Sequence, residues 1–330
     1  MQAHEMTYDE MEAEAARLGV VLPIEQTEAW SRLEATVEGR TPWGCVRLSD
    51  DAGETVALVA FTDYLTHGYH YLRSPHGPVW LQAPDPETER AGVCALRDHV
   101  HRRDRKVAFI RMGVDAELDV TSPTLSMIPY DSTVIMDITG SDEDILSRMK
   151  ARGRRDVRKA LRESPATYAD ETERATASFA EYYDVMLETA ERDGFTPSPS
   201  SDYENMISIL GPDHCRVFAG RVDGSVVTWT ITTISGTHAV RYYGASRAHI
   251  PHRSYVTDGL IYFESCTLSK RGMTTYDMMG IGSESFPGLN TLNTFKCKFA
   301  NDVTHVAPDR DVPVRGTLYS SLQLAKRLRG

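Results

Sequence analysis

Residues 216–244 read RVFAGRVDGSVVTWTITTISGTHAVRYYG. Three runs rich in β-branched and aromatic residues, 216–221, 225–234 and 238–244, are separated by turn residues, which predicts a three-stranded meander. The Val222-Asp223-Gly224 turn is a hairpin signal, because Asp-Gly supplies the positive φ angles of a type I′ turn. A helix from about Ser254 to Arg271 and a strand at 275–279 complete the set. The same order occurs earlier: strands at 45–48, 55–65 and 69–73, a helix at 87–101 and a strand at 107–111. Gly224 lies 171 residues after Gly53, and Thr275 lies 168 after Val107, a nearly constant offset that marks an internal duplication. A meander followed by a helix and a strand makes a mixed sheet with helices packed on it. The fold class is therefore α/β (α+β), in two tandem copies.

The rest of the composition agrees with two ordinary domains. At 330 residues and 41% hydrophobic, the chain can bury two cores. A net charge of −11 argues against a surface that coats nucleic acid or anionic membrane throughout, and leaves room for a local basic site. Five cysteines, far apart and without a C-x-x-C pair, suggest neither a zinc knuckle nor a disulfide framework. No apolar run reaches the length of a membrane span, and residues 1–18 are acidic, unlike a signal peptide, so a cytoplasmic protein is expected. Ser141-Asp142-Glu143-Asp144 reads as a helix start, which puts the first domain at 1–140 and the second at 141–315. From there one helix runs through Ile145, Leu146 and Met149 into 148–162, which holds eight basic residues and a single acid, Asp156. Phe179, Tyr182, Tyr183, Met186 and Leu187 mark another helix, stopped by Gly194. A last amphipathic helix, 316–330, carries Leu318, Leu322, Ala325 and Leu328 and is expected to pack back on the first domain.

Familiar catalytic signatures are absent: the chain has no P-loop, G-x-G-x-x-G, H-E-x-x-H or G-x-S-x-G. The duplicated pattern resembles the N-acetyltransferase-like (GNAT-like) architecture, whose members carry a glycine-rich pyrophosphate loop after the third strand. Here that stretch is Ser246-Arg247-Ala248-His249-Ile250-Pro251-His252-Arg253, with no glycine to let backbone approach a pyrophosphate. What occurs instead is Arg241-Tyr242-Tyr243-Gly244-Ala245-Ser246, then Tyr276-Asp277-Met278-Met279-Gly280-Ile281, then Phe295-Lys296-Cys297-Lys298-Phe299. These resemble Tyr-x-Tyr-Gly-Ala-Ser, Tyr-Asp-x-x-Gly-Ile and Phe-Lys-x-x-Phe of the FemABX family of aminoacyl-tRNA-dependent peptidyltransferases. Arg154-Arg155-Asp156-Val157-Arg158-Lys159-Ala160 is similar to that family's Arg-x-Asn-x-Arg-Lys-Ala. Thr189 with Arg192-Asp193-Gly194-Phe195, and Pro75-His76-Gly77-Pro78, match further segments. Residues 163–193 are too short for the coiled-coil arm of some members, so the chain resembles the compact type.

The resemblance implies two GNAT-like domains and attack by a peptide amine on the ester carbonyl of an aminoacyl-tRNA, with no cofactor and a monomeric enzyme. Its acceptor would be a peptidoglycan precursor. It puts Lys296 in the acyl-transfer channel, where an ammonium would stabilise the oxyanion, and Phe295 where it would stack on the tRNA 3′ end. Asp277 would orient the amine or accept its proton, although an aspartate at a strand end more often caps a loop. Arg241 and Tyr243, two apart and so on one strand face, would line the acceptor groove with Arg192, Tyr203 and Trp30. Arg154, Arg155, Arg158 and Lys159 would meet tRNA phosphates. Read without the resemblance, Phe295 and Phe299 are strand-core residues, Lys296 a surface lysine and the basic stretch a solvated helix face. His249 and His252 lack metal-ligand spacing.

Two positions depart from compact relatives that grip a nucleotide-linked precursor. Where a lysine follows Gln-x-x-x-Trp there is Glu34, and four residues before Tyr203 an arginine gives way to Pro199. An aspartate assigned a base role there is replaced, with Gly113 or Asp115 nearby. The losses favour a small peptide natural product as alternative acceptor; a CoA-dependent N-acyltransferase or a non-catalytic peptide- or tRNA-binding member are the other readings.

Overall fold

The structure is a computed structural model that describes residues 1–124, 129–248 and 255–327. The chain divides into two compact units, Met1–Asp131 with Val306–Gly330, and Ser132–His305.

The first unit opens with β1 (Gln2–Met6), α1 (Tyr8–Leu18), α2 (Glu28–Glu34), β2 (Arg40–Ser49), β3 (Thr55–Thr66), β4 (Tyr69–Ser74), β5 (Val79–Trp80), α3 (Pro86–Arg103), β6 (Val107–Gly113) and β7 (Ser122–Pro123). Helix boundaries follow local chemistry. Thr7 and Glu10 form a capping box at the start of α1, and Asp85 caps α3, which begins on Pro86.

The second unit holds β8 (Ser132–Asp137), α4 (Asp142–Arg148), α5 (Ala151–Glu163), β9 (Thr167–Asp170), α6 (Thr172–Ala177), α7 (Ala180–Asp193), α8 (Ser200–His214), β10 (Cys215–Val222), β11 (Ser225–Ser235), β12 (His238–Ser246), α9 (Val256–Lys270), β13 (Thr275–Ile281), α10 (Asn290–Lys296) and β14 (Thr304–His305). The chain then returns to the first unit as β15 (Asp309–Pro313) and α11 (Gly316–Arg327).

The duplication is visible in hydrogen bonding. The first sheet runs β1-β2-β3-β4-β6-β15-β7, with β5 on β3, and the second runs β14-β8-β13-β12-β11-β10-β9. In each, a meander (β2-β3-β4 or β10-β11-β12) is antiparallel, and the strand after the crossover helix lies parallel to the third (β4 with β6, β12 with β13). The strand beyond is antiparallel: β15 on β6, and β8 on β13. Because β8 pairs with β13 from Thr275↔Asp137 to Ile281↔Ser132, the second unit starts at Ser132 instead of residue 141, and it ends at His305 instead of 315.

The single basic helix expected over 145–162 is two helices. Met149 and Lys150 are extended (ψ 156 at both), which buries Met149 in the core while the Lys150 N–H donates to the Lys298 carbonyl. Arg154 closes the break by donating to the carbonyls of Ser147 and Met149 at the end of α4. On the other face of the second sheet, Trp229 is buried with its indole N–H on the Tyr182 carbonyl (2.8 Å), and Phe179 stacks between Tyr182 and Tyr203. The Ser254 start expected for α9 and Leu328 of the last helix lie outside the described residues.

In the first unit Arg111 on β6 forms a buried bidentate pair with Asp311 on β15 (2.7 and 3.0 Å), and Tyr319 on α11 donates to the same carboxylate. Removing one charge of such a pair strands the other. Asp311→Asn is expected to lower stability by about 3–5 kcal/mol, and Arg111→Met with Asp311→Leu by much less, in urea unfolding. Equal losses would show that packing, not the stranded charge, sets the cost.

Candidate functional site

A parallel βα unit is held together only as far as its ladder extends. β12 and β13 pair at His238↔Thr275, Ala239↔Tyr276 and Val240↔Asp277. Beyond Asp277, β13 takes in an extra residue against β8, so the register passes from Asp277↔Ile135 to Gly280↔Thr133, with Met279 left-handed at φ 61. The Asp277 carboxylate holds this bulge, accepting from the Met279 N–H (2.7 Å) and the Thr133 hydroxyl. The carbonyls of Met279 and Gly280 are thereby released from the ladder toward β12.

Lys296, the last residue of α10, reaches those carbonyls. Its Nζ donates to Gly280 O at 2.8 Å and Met279 O at 3.3 Å. Asn293, one turn earlier, clamps the exit of β13 by accepting from the Gly282 N–H and donating to its carbonyl. An ammonium has three donors, and among the described residues the third has no protein partner. Burial pushes the Lys296 pKa down to about 8; Arg241 adds to the shift, and Asp277 and Cys297 oppose it.

Beside this ammonium lies a cavity of about 490 Å³, formed within the second unit. Its walls are Thr189, Arg192 and Asp193 of α7, Arg241 and Gly244–Ser246 of β12, Arg247 and Ala248, Tyr255–Asp258 at the start of α9, and Leu292, Phe295 and Lys296 of α10. The Thr189 hydroxyl accepts from the Ser246 N–H and donates to the Ser246 carbonyl, which also takes a bond from Arg192 (2.7 Å). Arg192 pairs with Asp193, and Arg247 with Glu188, both at 2.8 Å. Asp258 forms an ion pair with the buried Lys298, which also meets Asp156 at 3.4 Å. Burial raises the Asp258 pKa against the pull of Lys298, and the charge on Asp156 adds to the rise.

Lys296, Arg241, Arg192 and Phe295 are thus brought together at the cavity. Phe295 sits in a helix and not in a strand, edge-to-face with Phe299 at 5.4 Å. Asp277 acts on Lys296 through its field while its oxygen holds the bulge. Tyr203 and Tyr243 do not line the cavity. Tyr203 is buried among Phe179, Trp229 and Tyr243, and Tyr243 meets it edge-to-face at 4.9 Å. Trp30 is buried in α2 of the first unit.

Arg241 and Tyr243 do not share a face, although they are two apart. The register passes from Thr232↔Arg241 to Ile231↔Tyr243, leaving Tyr242 as the extra residue of a bulge. Arg241 and Gly244 therefore pair with Thr232 and Thr230, whose hydroxyls bond Glu264 of α9, whereas Tyr243 faces the Trp229 side. Of the basic set, exposed Arg155 and Arg158 pair with Asp156 and Glu143, half-buried Lys159 pairs with Glu163, and Arg154 is the cap described above. Residues 249–254, including His249 and His252, lie outside the described residues. Asp258 and Asn293 carried no sequence signal, since an acid in a first helical turn and an amide in a short helix are commonplace. Among the described residues no cluster of metal-ligating side chains occurs, and no helix is long and apolar enough to cross a membrane.

Residues 147–286 match the acetyltransferase (GNAT) domain family model. FemX superposes with TM-score 0.75 at 17% identity, covering 99% of this chain and 100% of its own. The C-terminal DUF2156 domain named for a lysylphosphatidylglycerol synthetase from Agrobacterium fabrum gives 0.55 at 13% identity (98% and 97% covered), and L-PGS from Bacillus licheniformis gives 0.53 at 12% (98% and 98%). No curated protein matches in sequence. The chain therefore has the fold of FemX, two tandem GNAT-like domains, each a mixed sheet flanked by helices.

A lysine held near pKa 8, against its ordinary 10.5, costs about 3 kcal/mol of folding stability at neutral pH. The folded state binds fewer protons than the unfolded between those values, so this cost disappears as pH rises from 8 to 10.5. Lys296→Met, which loses two carbonyl hydrogen bonds of about 1 kcal/mol each, is expected to be as stable as the parent at pH 7 or more so, and relatively less stable at pH 10. Urea unfolding at the two pH values reads this, and a loss of several kcal/mol at pH 7 would make Lys296 a structural residue.

Proposed function

We propose that the chain is an aminoacyl-tRNA-dependent transferase that forms a peptide bond on the amine of a peptide acceptor. The observation that carries this reading is the buried Lys296 ammonium, with a donor to spare, at the floor of a cavity in an acyltransferase fold. In the proposed step the neutral amine attacks the ester carbonyl, and a tetrahedral intermediate forms whose oxyanion takes the free N–H of Lys296. The C–O bond to the terminal ribose then breaks, and the ribose oxygen gains the proton that the amine loses. A fixed charge aimed at the developing oxyanion stabilises it without reorganisation. Phe295, beside Lys296 on the cavity wall, supplies a ring for the terminal adenine. Exposed Arg155 and Arg158 and half-buried Lys159 suit phosphate contact, Arg154 supporting them as a cap.

The acceptor is the less constrained half. A peptidoglycan precursor peptide is the first candidate. A small peptide without a diphosphate is favoured by Glu34, a buried carboxylate that accepts from Tyr64 (2.5 Å) and Arg40 (3.1 Å) and adds negative charge where a diphosphate site needs positive.

Transfer from labelled aminoacyl-tRNA pools to muropeptide precursors or to unmodified peptides is expected, with Lys296→Ala slower by about 10²–10³. No transfer to any acceptor, or acylation from CoA thioesters instead, would defeat the proposal. Since the ammonium is the working form, the single-turnover rate is expected to fall as pH rises through about 8. Arg241→Gln removes a like charge and should move that limb to higher pH; an unmoved limb would assign it to another group.

A further inference from the structure

Among the described residues, every cation on the cavity wall except two is matched by a carboxylate. Arg192 has Asp193 and Arg247 has Glu188. Lys296 rests on carbonyls, and Arg241 makes no ion pair among the described residues, its Nε being buried without a hydrogen-bond partner. The carboxylate that acts electrostatically on Arg241, Glu264, is fully buried, accepts from the hydroxyls of Thr230 and Thr232, and is driven toward its neutral form by burial. The hydroxyls and the Arg241 charge oppose that shift, and among the described residues Glu264 makes no ion pair with the guanidinium.

The guanidinium also has a fitted seat. Gly244 lies beneath it so closely that a Cβ there would run into the guanidinium atoms. The bulge at Tyr242 turns Arg241 to this face, away from the aromatic cluster around Tyr203. Two cations without an ion-pair partner on one small cavity repel each other, and a bound anion relieves both. A guanidinium fork suits a carboxylate, which it grips with two parallel N–H donors.

We propose that Arg241 makes the cavity selective for a ligand carrying a carboxylate close to the reacting carbonyl. This rests on the proposed function above. Its source is either an acidic side chain on the transferred amino acid or an acidic residue of the acceptor beside its amine.

Binding of non-reacting ligands separates the sources. Amide-linked 3′-aminoacylamino-adenosines bearing aspartyl, glutamyl, asparaginyl and glutaminyl groups form the donor arm; dipeptides with an acidic or an amide residue next to the free amine form the acceptor arm. In calorimetry, one arm is expected to prefer the acidic member by at least about tenfold. The preference should vanish in Arg241→Tyr, survive in part in Arg241→Lys, and weaken in Gly244→Ala, which displaces the guanidinium and not the backbone. Circular dichroism melting checks that each variant is folded. Binding with no charge preference in either arm, or a preference that survives Arg241→Tyr, overturns the inference and leaves the proposed function standing. Failure to bind every adenosine analogue, alongside binding of CoA, overturns both.

Discussion

A buried ammonium must be given partners, and in this chain the second unit is arranged around supplying them to Lys296. In a β-ladder each carbonyl already accepts from the neighbouring strand, so a lysine gains most from sheet backbone where the ladder opens. Here it opens because β13 takes an extra residue at Met278–Met279, and that distortion persists because the Asp277 carboxylate accepts from Met279 and Thr133. One carboxylate therefore does two things: it holds the backbone that frees the carbonyls and places a negative charge near the ammonium they receive. The parallel pairing of β12 with β13 at their starts fixes the depth of the opening, and Asn293 fixes the helix that delivers the lysine.

A second layer of buried charge supports this arrangement from beneath. Lys298, two residues on from Lys296, sits between Asp156 of α5 and Asp258 of α9. Its backbone carbonyl accepts from Lys150 and passes so close to Gly153 that a Cβ would meet it. Glycine in a helix is ordinarily about 1 kcal/mol worse than alanine. At Gly153 the backbone contact outweighs that preference, because it lets α5 approach the segment carrying both lysines. The basic stretch is therefore broken at Met149 for a reason: the first turn of α5 is needed as a docking surface.

How much of this could be read from the chain follows from the range of each interaction. The meanders were legible because strand alternation and turns such as Val222-Asp223-Gly224 are local, and the duplication because it repeats local signals. The return of a strand to pair with β6, and the pairing of β8 with β13, were not legible: their partners lie far apart in sequence, and short strands such as Asp309–Pro313 have little pattern of their own. The motif that singled out Phe295 and Lys296 lies on the cavity wall. The shared face expected of Arg241 and Tyr243 is not found, because spacing was converted into facing by assuming an unbroken ladder.

That failure has a physical lesson. A strand that keeps its register must alternate, and the residues around Arg241 would then put an aromatic and a guanidinium on one face. By inserting Tyr242, the sheet sends Tyr243 into the aromatic core with Tyr203 and Trp229 and Arg241 to the opposite face. The second bulge, at Met279, opens the neighbouring strand. β12 and β13 are distorted beside one another, the first to aim a charge and the second to release carbonyls for another. Either alone would give an ordinary sheet with one misplaced polar group. Together they bring to one cavity two cations, Arg241 and Lys296, that have no ion-pair partner among the described residues, which is the feature that any function assigned to this unit has to explain.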